Sequence, residues 1–252
     1  MTHPALVSII TPAYRSARFI AESVRSAQVQ GHANWEMLIV DDCSPDDTPE
    51  VVARLADADP RIRLFRQPTN RGPAAARNAA LDAAQGRYVA FLDSDDLWLP
   101  DKLERQLAFM AQRRAALSFT EFRRISQDGA RLGQRLAVPE TLTYRQLLCN
   151  TAIATSTVIV DRELSGEFRM KKTYYDDFTA WLEILRRGHI ASGLREDLMR
   201  YRVVGKSVSR NKLRSAEMVW RAYREIEGLG VFDSSWCFLN YAVRGTLKYR
   251  YF

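Results

Sequence analysis

Three aspartates, Asp93, Asp95 and Asp96, stand within four positions in the stretch FLDSDDLW, directly after an apolar run. Carboxylates this close repel one another, and a strand end gains no stability from collecting them. A hard divalent cation would make sense of the cluster. Mg²⁺ or Mn²⁺ takes one or two carboxylates and fills its other positions with phosphate oxygens and water. D-x-D alone also recurs in turns and helix caps, so its meaning depends on its neighbours. Two further acidic pairs stand out. Asp41-Asp42 closes the run EMLIV, where aspartate also serves as a turn former. Asp176-Asp177 opens DDFTAWLEILRR, where capping and the macrodipole favour acids in any helix.

The elements that must position these groups alternate regularly over the first hundred residues. Strands are expected at Leu6–Thr11, Glu36–Val40, Ile62–Phe65 and Arg87–Leu92, each a short apolar or β-branched run. Between them, helical spacing predicts helices over Phe19–Val29, Pro49–Ala58 and Pro73–Gln85, the last alanine-rich and closed by Gly86. Strands alternating with helices imply βαβ units, an α/β fold and a mostly parallel sheet flanked by helices. Ligands of such sheets bind outside the carboxyl ends of the strands. Three polar stretches fall there: Thr11 to Tyr14, Asp41 to Ser44 and Asp93 to Asp96. Beyond Leu103 the alternation loosens. Leu117–Phe122 and Thr155–Val160 are expected as strands and Asp176–Arg187 as an amphipathic helix, with a helical extension from about Ser209.

Composition narrows the class. The chain has 252 residues, 46% hydrophobic and 27% charged, enough for one substantial domain with an appendage. Cys43, Cys149 and Cys237 are odd in number and far apart, which argues for a reducing compartment and against a disulfide scaffold or a zinc site. No basic region precedes the apolar run within Met1–Ile10, and no apolar stretch reaches the roughly 18 residues a bilayer span needs. A cytoplasmic protein is expected. The net charge of +7 fits an anionic partner or simply a solvated basic surface.

Several nucleotide folds are excluded by absence. The turn after the first strand reads TPAYRSAR, without the G-x-G-x-x-G of a dinucleotide site, and no P-loop is present. The acidic cluster follows the fourth strand, whereas an aspartyl-nucleophile phosphatase carries its motif after the first. The Gly-rich, Arg-containing loop of sugar-phosphate nucleotidyltransferases is also missing. In order and spacing, VSIITPAYR, EMLIVDDCSPDDT, NRGPAAARNAALDAAQGRYVAFLDSDD and YYDDFTAWLEILRRGH resemble a family 2 glycosyltransferase of the GT-A fold, over roughly residues 5 to 210. The end of that region, YRVVGKSVSRNK, is similar to the subgroups that extend bacterial O-antigen and other surface polysaccharides.

The resemblance implies an inverting transfer of one sugar from a nucleotide diphosphate sugar, UDP-hexose, to a saccharide acceptor on a polyprenyl diphosphate. It places Pro12 and Tyr14 against the base, with Asp41 or Asp42 accepting the imide N–H. Arg71 and Arg77 could reach the diphosphate or ribose from the start of their helix, the alternative being two solvated arginines. Asp95 becomes the direct ligand of Mn²⁺ or Mg²⁺, with Asp93 at the ribose or beside the ion and Ser94 within the same loop. Asp96 is expected to position the acceptor or cap the next helix. Asp177 takes the role of base, with Asp176 in support, while Trp181 and Leu185 are expected to pack in the core. The histidine that relatives often carry in Y-R-x-H-x-x-S-x-S is absent here, which leaves Lys206 to meet the phosphates. The Q-x-x-R-W motif and membrane spans of processive members are missing too, so a single transfer is expected.

These readings divide the chain into a catalytic domain at 1–210 and a helical extension at 211–252. The domain has a nucleotide-sugar half at about 1–100 and an acceptor half at about 101–210. In the extension, Trp236, Leu239, Val243 and Leu247 form one stripe beside Arg244, Lys248 and Arg250. Such a helix suits peripheral attachment to the anionic inner face of the cytoplasmic membrane, the alternative being a helix docked on the domain. Two rival functions remain. A catalytically inactive nucleotide- or glycan-binding module of the same fold would show losses in the cluster or at the base, and neither is seen. Nucleic-acid binding would call for a basic stripe, whereas the Lys and Arg residues here are scattered among acids.

Overall fold

A computed structural model describes residues 5–150, 153–173, 176–204 and 212–248. The first ninety residues wind as β1 (Val7–Ala13), α1 (Ile20–Gln28), β2 (Trp35–Asp41), α2 (Thr48–Ala58), β3 (Ile62–Arg66), α3 (Pro73–Ala83) and β4 (Tyr88–Phe91). Each expected element is present, with ends moved by two residues or fewer. Every residue of β2 and β4 is buried, as a parallel sheet covered on both faces requires. Alternate residues enter two separate cores. Val7, Ile9, Met37 and Ile39 pack against Ile20, Val24 and Val52 on one face. Ile10, Leu38, Val40 and Phe91 meet Ala76 and Ala80 of α3 on the other.

Gly86 does not cap α3, which ends at Ala83. A Cβ at Gly86 would stand 2.6 Å from the Leu6 carbonyl oxygen and 2.7 Å from the Ser8 nitrogen, so glycine is needed for the close approach to β1.

The second half adds β5 (Leu97–Trp98), α4 (Lys102–Arg113), β6 (Leu117–Ser126), β7 (Leu132–Leu136), β8 (Thr141–Leu142), α5 (Tyr144–Leu148), β9 (Ile159–Asp161), α6 (Arg162–Ser165), α7 (Asp176–Arg186) and β10 (Ala191–Val203). The sheet runs β3-β2-β1-β4-β9-β6-β10-β5, with β7 on β6 and β8 on β10. It is parallel from β3 to β4. Beyond β4 the sheet is mixed: β9 is antiparallel to both neighbours, and β10 is parallel to β6 but antiparallel to β5. Only the end of the expected strand at Thr155–Val160 is extended, because Thr155–Thr157 forms a 3₁₀ turn.

The extension comprises α8 (Lys212–Arg221), a π turn at Ala222–Ile226 and α9 (Val231–Lys248). The last helix is docked along one side and open to solvent along the other, while the side chains of Val243, Arg244, Leu247, Lys248 and Arg250 lie outside the described residues. Ser234 and Cys237 are buried, and Phe238 and Tyr241 pack against the core shared with α3 and α7. On the opposite side Phe232, Trp236 and Leu239 are 93%, 66% and 59% exposed.

Candidate active site

The crevice lies at the carboxyl ends of β1, β2 and β4. Its rim is tied together by side-chain bonds to main-chain N–H groups. Ser44 Oγ accepts the Arg15 N–H at 3.1 Å, and Thr48 Oγ1 accepts that of Ser16 at 2.8 Å. Arg15 and Cys43 both hold positive φ, 52° and 58°, a conformation uncommon outside glycine and found here at the ends of β1 and β2. Pro12 is half-buried, and Tyr14 is exposed with the Arg15 guanidinium 5.3 Å from its ring centroid.

Asp41 and Asp42 are both buried. Asp41 accepts the Ser44 N–H at 3.3 Å and lies 3.8 Å from Arg66 Nε. The two oxygens of Asp42 accept the N–H groups of Arg71 and Gly72, each at 2.8 Å, and so fix the turn that launches α3. Oδ1 also takes the Gln67 amide N–H at 3.3 Å, whereas Oδ2 keeps a second lone pair. Arg71 itself is exposed.

The acidic cluster follows β4. Its first main-chain N–H, at Asp93, donates to Ser156 Oγ at 3.0 Å. Asp93, Ser94 and Asp95 are half-buried and border the crevice. Burial and the charge of Asp93 push the Asp95 carboxyl up to about 6. Asp96 behaves differently. It is 2% exposed, accepts the Ser156 hydroxyl at 2.6 Å and the Arg202 N–H at 2.9 Å, and its pKa is raised strongly by burial, then by Asp95 and Asp93. Asp101 stands at the cap position of α4. Asp96 is thus neither a helix cap nor a surface that could meet an acceptor: it is an internal strut of the loop.

Across the crevice, α7 begins with the second acidic pair. Asp177 is half-buried and accepts the Thr155 hydroxyl at 2.6 Å on Oδ2 and the Phe178 N–H at 2.7 Å on Oδ1. Burial and the neighbouring charge of Asp176 raise its pKa, while Thr155, Arg77 and the Phe178 amide pull it back. Asp176 is buried and pairs with Arg77 Nη1 at 2.8 Å. Arg77 is no solvated arginine. It is 6% exposed, and its Nη2 also binds Asp93 at 2.6 Å. Trp181 and Leu185 lie in the core, with Trp181 edge-on to Phe91 at 5.1 Å.

The crevice therefore joins Asp93, Asp95, Asp176, Asp177 and Arg77, with Asp41 and Asp42 at the end of β2. Lys206 lies outside the described residues. Three residues that hold the site escape a reading of the sequence: Thr155, Ser156 and Arg202. The first two belong to a stretch whose spacing suggests a strand. Arg202 is buried, donates from Nε to the Asp95 carbonyl at 2.9 Å and from Nη2 to Glu22 at 2.6 Å, and its only signal is its place in the segment YRVVGK. Among the described residues, no three of His, Cys, Asp and Glu converge into a metal-holding group.

The family model for glycosyl transferase family 2 matches residues 8–195, a span that includes Asp41, Asp42, Arg77, the Asp93–Asp96 loop and the Asp176-Asp177 pair. The chain belongs to that family. It is 46% identical over 244 residues to TuaG of Bacillus subtilis (strain 168), named as a teichuronic acid biosynthesis glycosyltransferase, covering 96% of this chain and 97% of that one. It is 34% identical over 252 residues to WfgD of Escherichia coli, named UDP-Glc:alpha-D-GlcNAc-diphosphoundecaprenol beta-1,3-glucosyltransferase, covering 98% and 96%. Among solved structures, Staphylococcus aureus TarS 1–349 in complex with UDP-GlcNAc superposes with a TM-score of 0.72 at 19% identity, covering 94% of this chain and 72% of that one. The mannosyltransferase PcManGT of Pyrobaculum calidifontis, in complex with GDP-Man and Mn²⁺, gives 0.71 at 20% identity, covering 98% and 75%. The fold of this glycosyltransferase is GT-A.

Proposed function

We propose that this glycosyltransferase moves one hexose from a UDP-sugar to a lipid-linked saccharide acceptor, with inversion at the anomeric carbon, in the assembly of a surface polysaccharide. The observation that carries the reading is the meeting of Asp93 and Asp95 with the Asp176-Asp177 pair across one crevice, bridged by Arg77. An inverting transfer needs this layout, with leaving-group charge handled on one side and a base on the other. The names of WfgD and TuaG support the donor, the lipid-diphosphate acceptor and the polysaccharide context.

In this reading Asp177 accepts the proton of the acceptor hydroxyl as that oxygen attacks the anomeric carbon. The bond from that carbon to the diphosphate breaks on the opposite face, and the nucleoside diphosphate departs. Thr155 and the Phe178 amide aim the Asp177 carboxylate. Pro12, Tyr14 and the Asp41-Asp42 pair receive the uracil, Arg71 lies toward the phosphates, and Ser94 lines the donor side. The donor set fits a divalent metal. Asp95 is held up near 6 by burial beside Asp93, a repulsion that a cation relieves, and with few protein ligands the phosphate oxygens complete the shell. Mn²⁺ or Mg²⁺ on Asp95 and Asp93 would supply Lewis-acid stabilisation of the departing diphosphate.

Attachment to an anionic membrane surface belongs to the same proposal. Among the described residues no helix is long and apolar enough to cross a membrane, while the exposed Phe232, Trp236 and Leu239 offer an apolar strip to lie in one.

The decisive assay is release of nucleoside diphosphate from a panel of nucleotide sugars, with acceptor, with and without Mn²⁺. The expected result is release with UDP-hexose that Asp95→Ala abolishes and EDTA suppresses reversibly. Full activity in excess chelator removes the metal from the mechanism. Nucleotide binding without any turnover favours the inactive binding module instead.

A further inference from the structure

Arg77 is a buried charge in the crevice and, among the described residues, its side chain bonds to both acidic walls. Its Nη2 binds Asp93 Oδ1 at 2.6 Å and its Nη1 binds Asp176 Oδ2 at 2.8 Å, while Nε is buried without a partner. Burying a guanidinium costs several kcal/mol unless opposite charges meet it, and here two carboxylates from different elements do. The two groups it joins are 83 residues apart in the chain, one after β4 and one opening α7. Its own helix is set in turn from the nucleotide end, because Asp42 grips the Arg71 and Gly72 N–H groups where α3 begins.

We infer that Arg77 is a positioning residue: it holds the leaving-group side and the base side of the crevice at one fixed spacing, and acts through Asp93 and Asp176 without touching the donor. The planar fork explains why arginine stands here. Two rigid donors can take one carboxylate each, whereas a lysine ammonium supplies the same charge from a single point. The inference rests on the proposed roles of the cluster and of Asp177, and it moves Arg77 away from the diphosphate contact expected from the sequence.

The test compares Arg77→Lys, Arg77→Gln, Asp176→Asn and Asp177→Asn with the full chain, using UDP-sugar, acceptor and Mn²⁺. Positioning predicts that Arg77→Lys and Arg77→Gln both lose at least about 100-fold in kcat, the scale of misplaced catalytic groups. The donor KM and the Kd for UDP should stay within about threefold of the parent. Full turnover in Arg77→Lys reduces Arg77 to charge balance and overturns the inference. A rise of tenfold or more in the Kd for UDP at unchanged kcat returns Arg77 to the diphosphate. Should the Arg77 variants fail to fold, Asp176→Asn still decides, since it removes the charge from one arm of the bridge while keeping shape and the Asp93 arm. It should lower kcat and leave KM alone, and unchanged kcat overturns the inference. Where both fold, the double variant Arg77→Lys/Asp176→Asn should fall no further than the worse single one, and fully additive losses count against the bridge. Asp177→Asn separates the two levels. Full turnover in that variant brings down the base assignment itself, whereas its loss beside an active Arg77→Lys removes only the bridge.

Discussion

At Asp177 both carboxylate oxygens are engaged, by the Thr155 hydroxyl and by the amide of Phe178, while burial beside Asp176 raises the pKa. In the proposed mechanism Asp177 is the base and must be ionised to work, so its raised pKa should move the acid limb of the kcat profile upward. Thr155 stabilises the ionised form. Thr155→Val should therefore shift that limb to still higher pH, with full-pH turnover reduced less than in Asp177→Asn; an unmoved limb would separate Thr155 from the base. Asp177→Asn keeps the shape but cannot take a proton. Turnover should drop by about 10²–10⁴-fold with UDP binding intact in calorimetry. The aspartates of this site were visible as pairs at strand and helix ends, but turns and helix caps collect the same residues, so their roles came from the ordered set of motifs and not from spacing alone. Their partners were not visible. Ser156 and Thr155 are ordinary hydroxyls that matter only because a 3₁₀ turn carries them to Asp96 and Asp177, and no local pattern marks that turn.

Among the elements, α4 carries an unusual burden at its first residue. Lys102 is wholly buried, its Nζ 2.8 Å from Gln106 Oε1 and 4.3 Å from the Trp98 ring centroid, and burial holds its pKa well below the usual lysine range. The unfolded chain keeps that proton to higher pH than the folded one. The unfolded state therefore binds more protons in the interval below the ordinary lysine pKa, and stability should rise with pH there. Lys102→Met removes the titration, so urea unfolding at pH 7, 8.5 and 10 should show a flatter pH dependence than the parent. Parallel profiles would mean that Lys102 stays charged in the fold. The same scale shows why β1 to β4 could be read from the chain and β10 could not. β1, β2 and β4 are almost wholly buried and read as apolar runs, and the edge strand β3 still shows Ile62, Leu64 and Phe65. β10 instead carries Arg195, Glu196, Asp197, Arg200 and Arg202 through the sheet. Asp197 meets Arg200 at 2.6 Å and Arg123 at 2.9 Å, while Arg202 reaches Glu22. Charges matched within the strand and by the distant Arg123 and Glu22 erase the alternation that a strand would otherwise display. Strand direction beyond β4 was equally hidden, because a parallel and an antiparallel neighbour ask for the same apolar run.

For the molecule as a whole, α9 has two faces with different duties. Cys237, Phe238 and Tyr241 dock it, and Phe232, Trp236 and Leu239 face out. Deleting residues 236–252 would thus remove core contacts as well as the outer strip, and should lower the melting temperature. The cleaner variant is the triple Phe232→Ser, Trp236→Ser, Leu239→Ser. It should retain its melting temperature and its hydrolysis of soluble donor, and lose sedimentation with anionic vesicles. Undiminished sedimentation would assign the outer strip to another partner. The three-residue strand β9 has a consequence of a different kind, in biosynthesis. Among the described residues it is the only strand paired with the outer edge of β4, and it lies at Ile159–Asp161, some seventy residues later in the chain. During translation the parallel block from β3 to β4 can assemble long before its last neighbour emerges, leaving a bare edge of backbone N–H and C=O groups. A ribosome stalled in that interval would display a template for pairing with other nascent chains. The burden that this fold places on chaperones should therefore fall in the window between β4 and β9, when the nascent chain is most prone to aggregate.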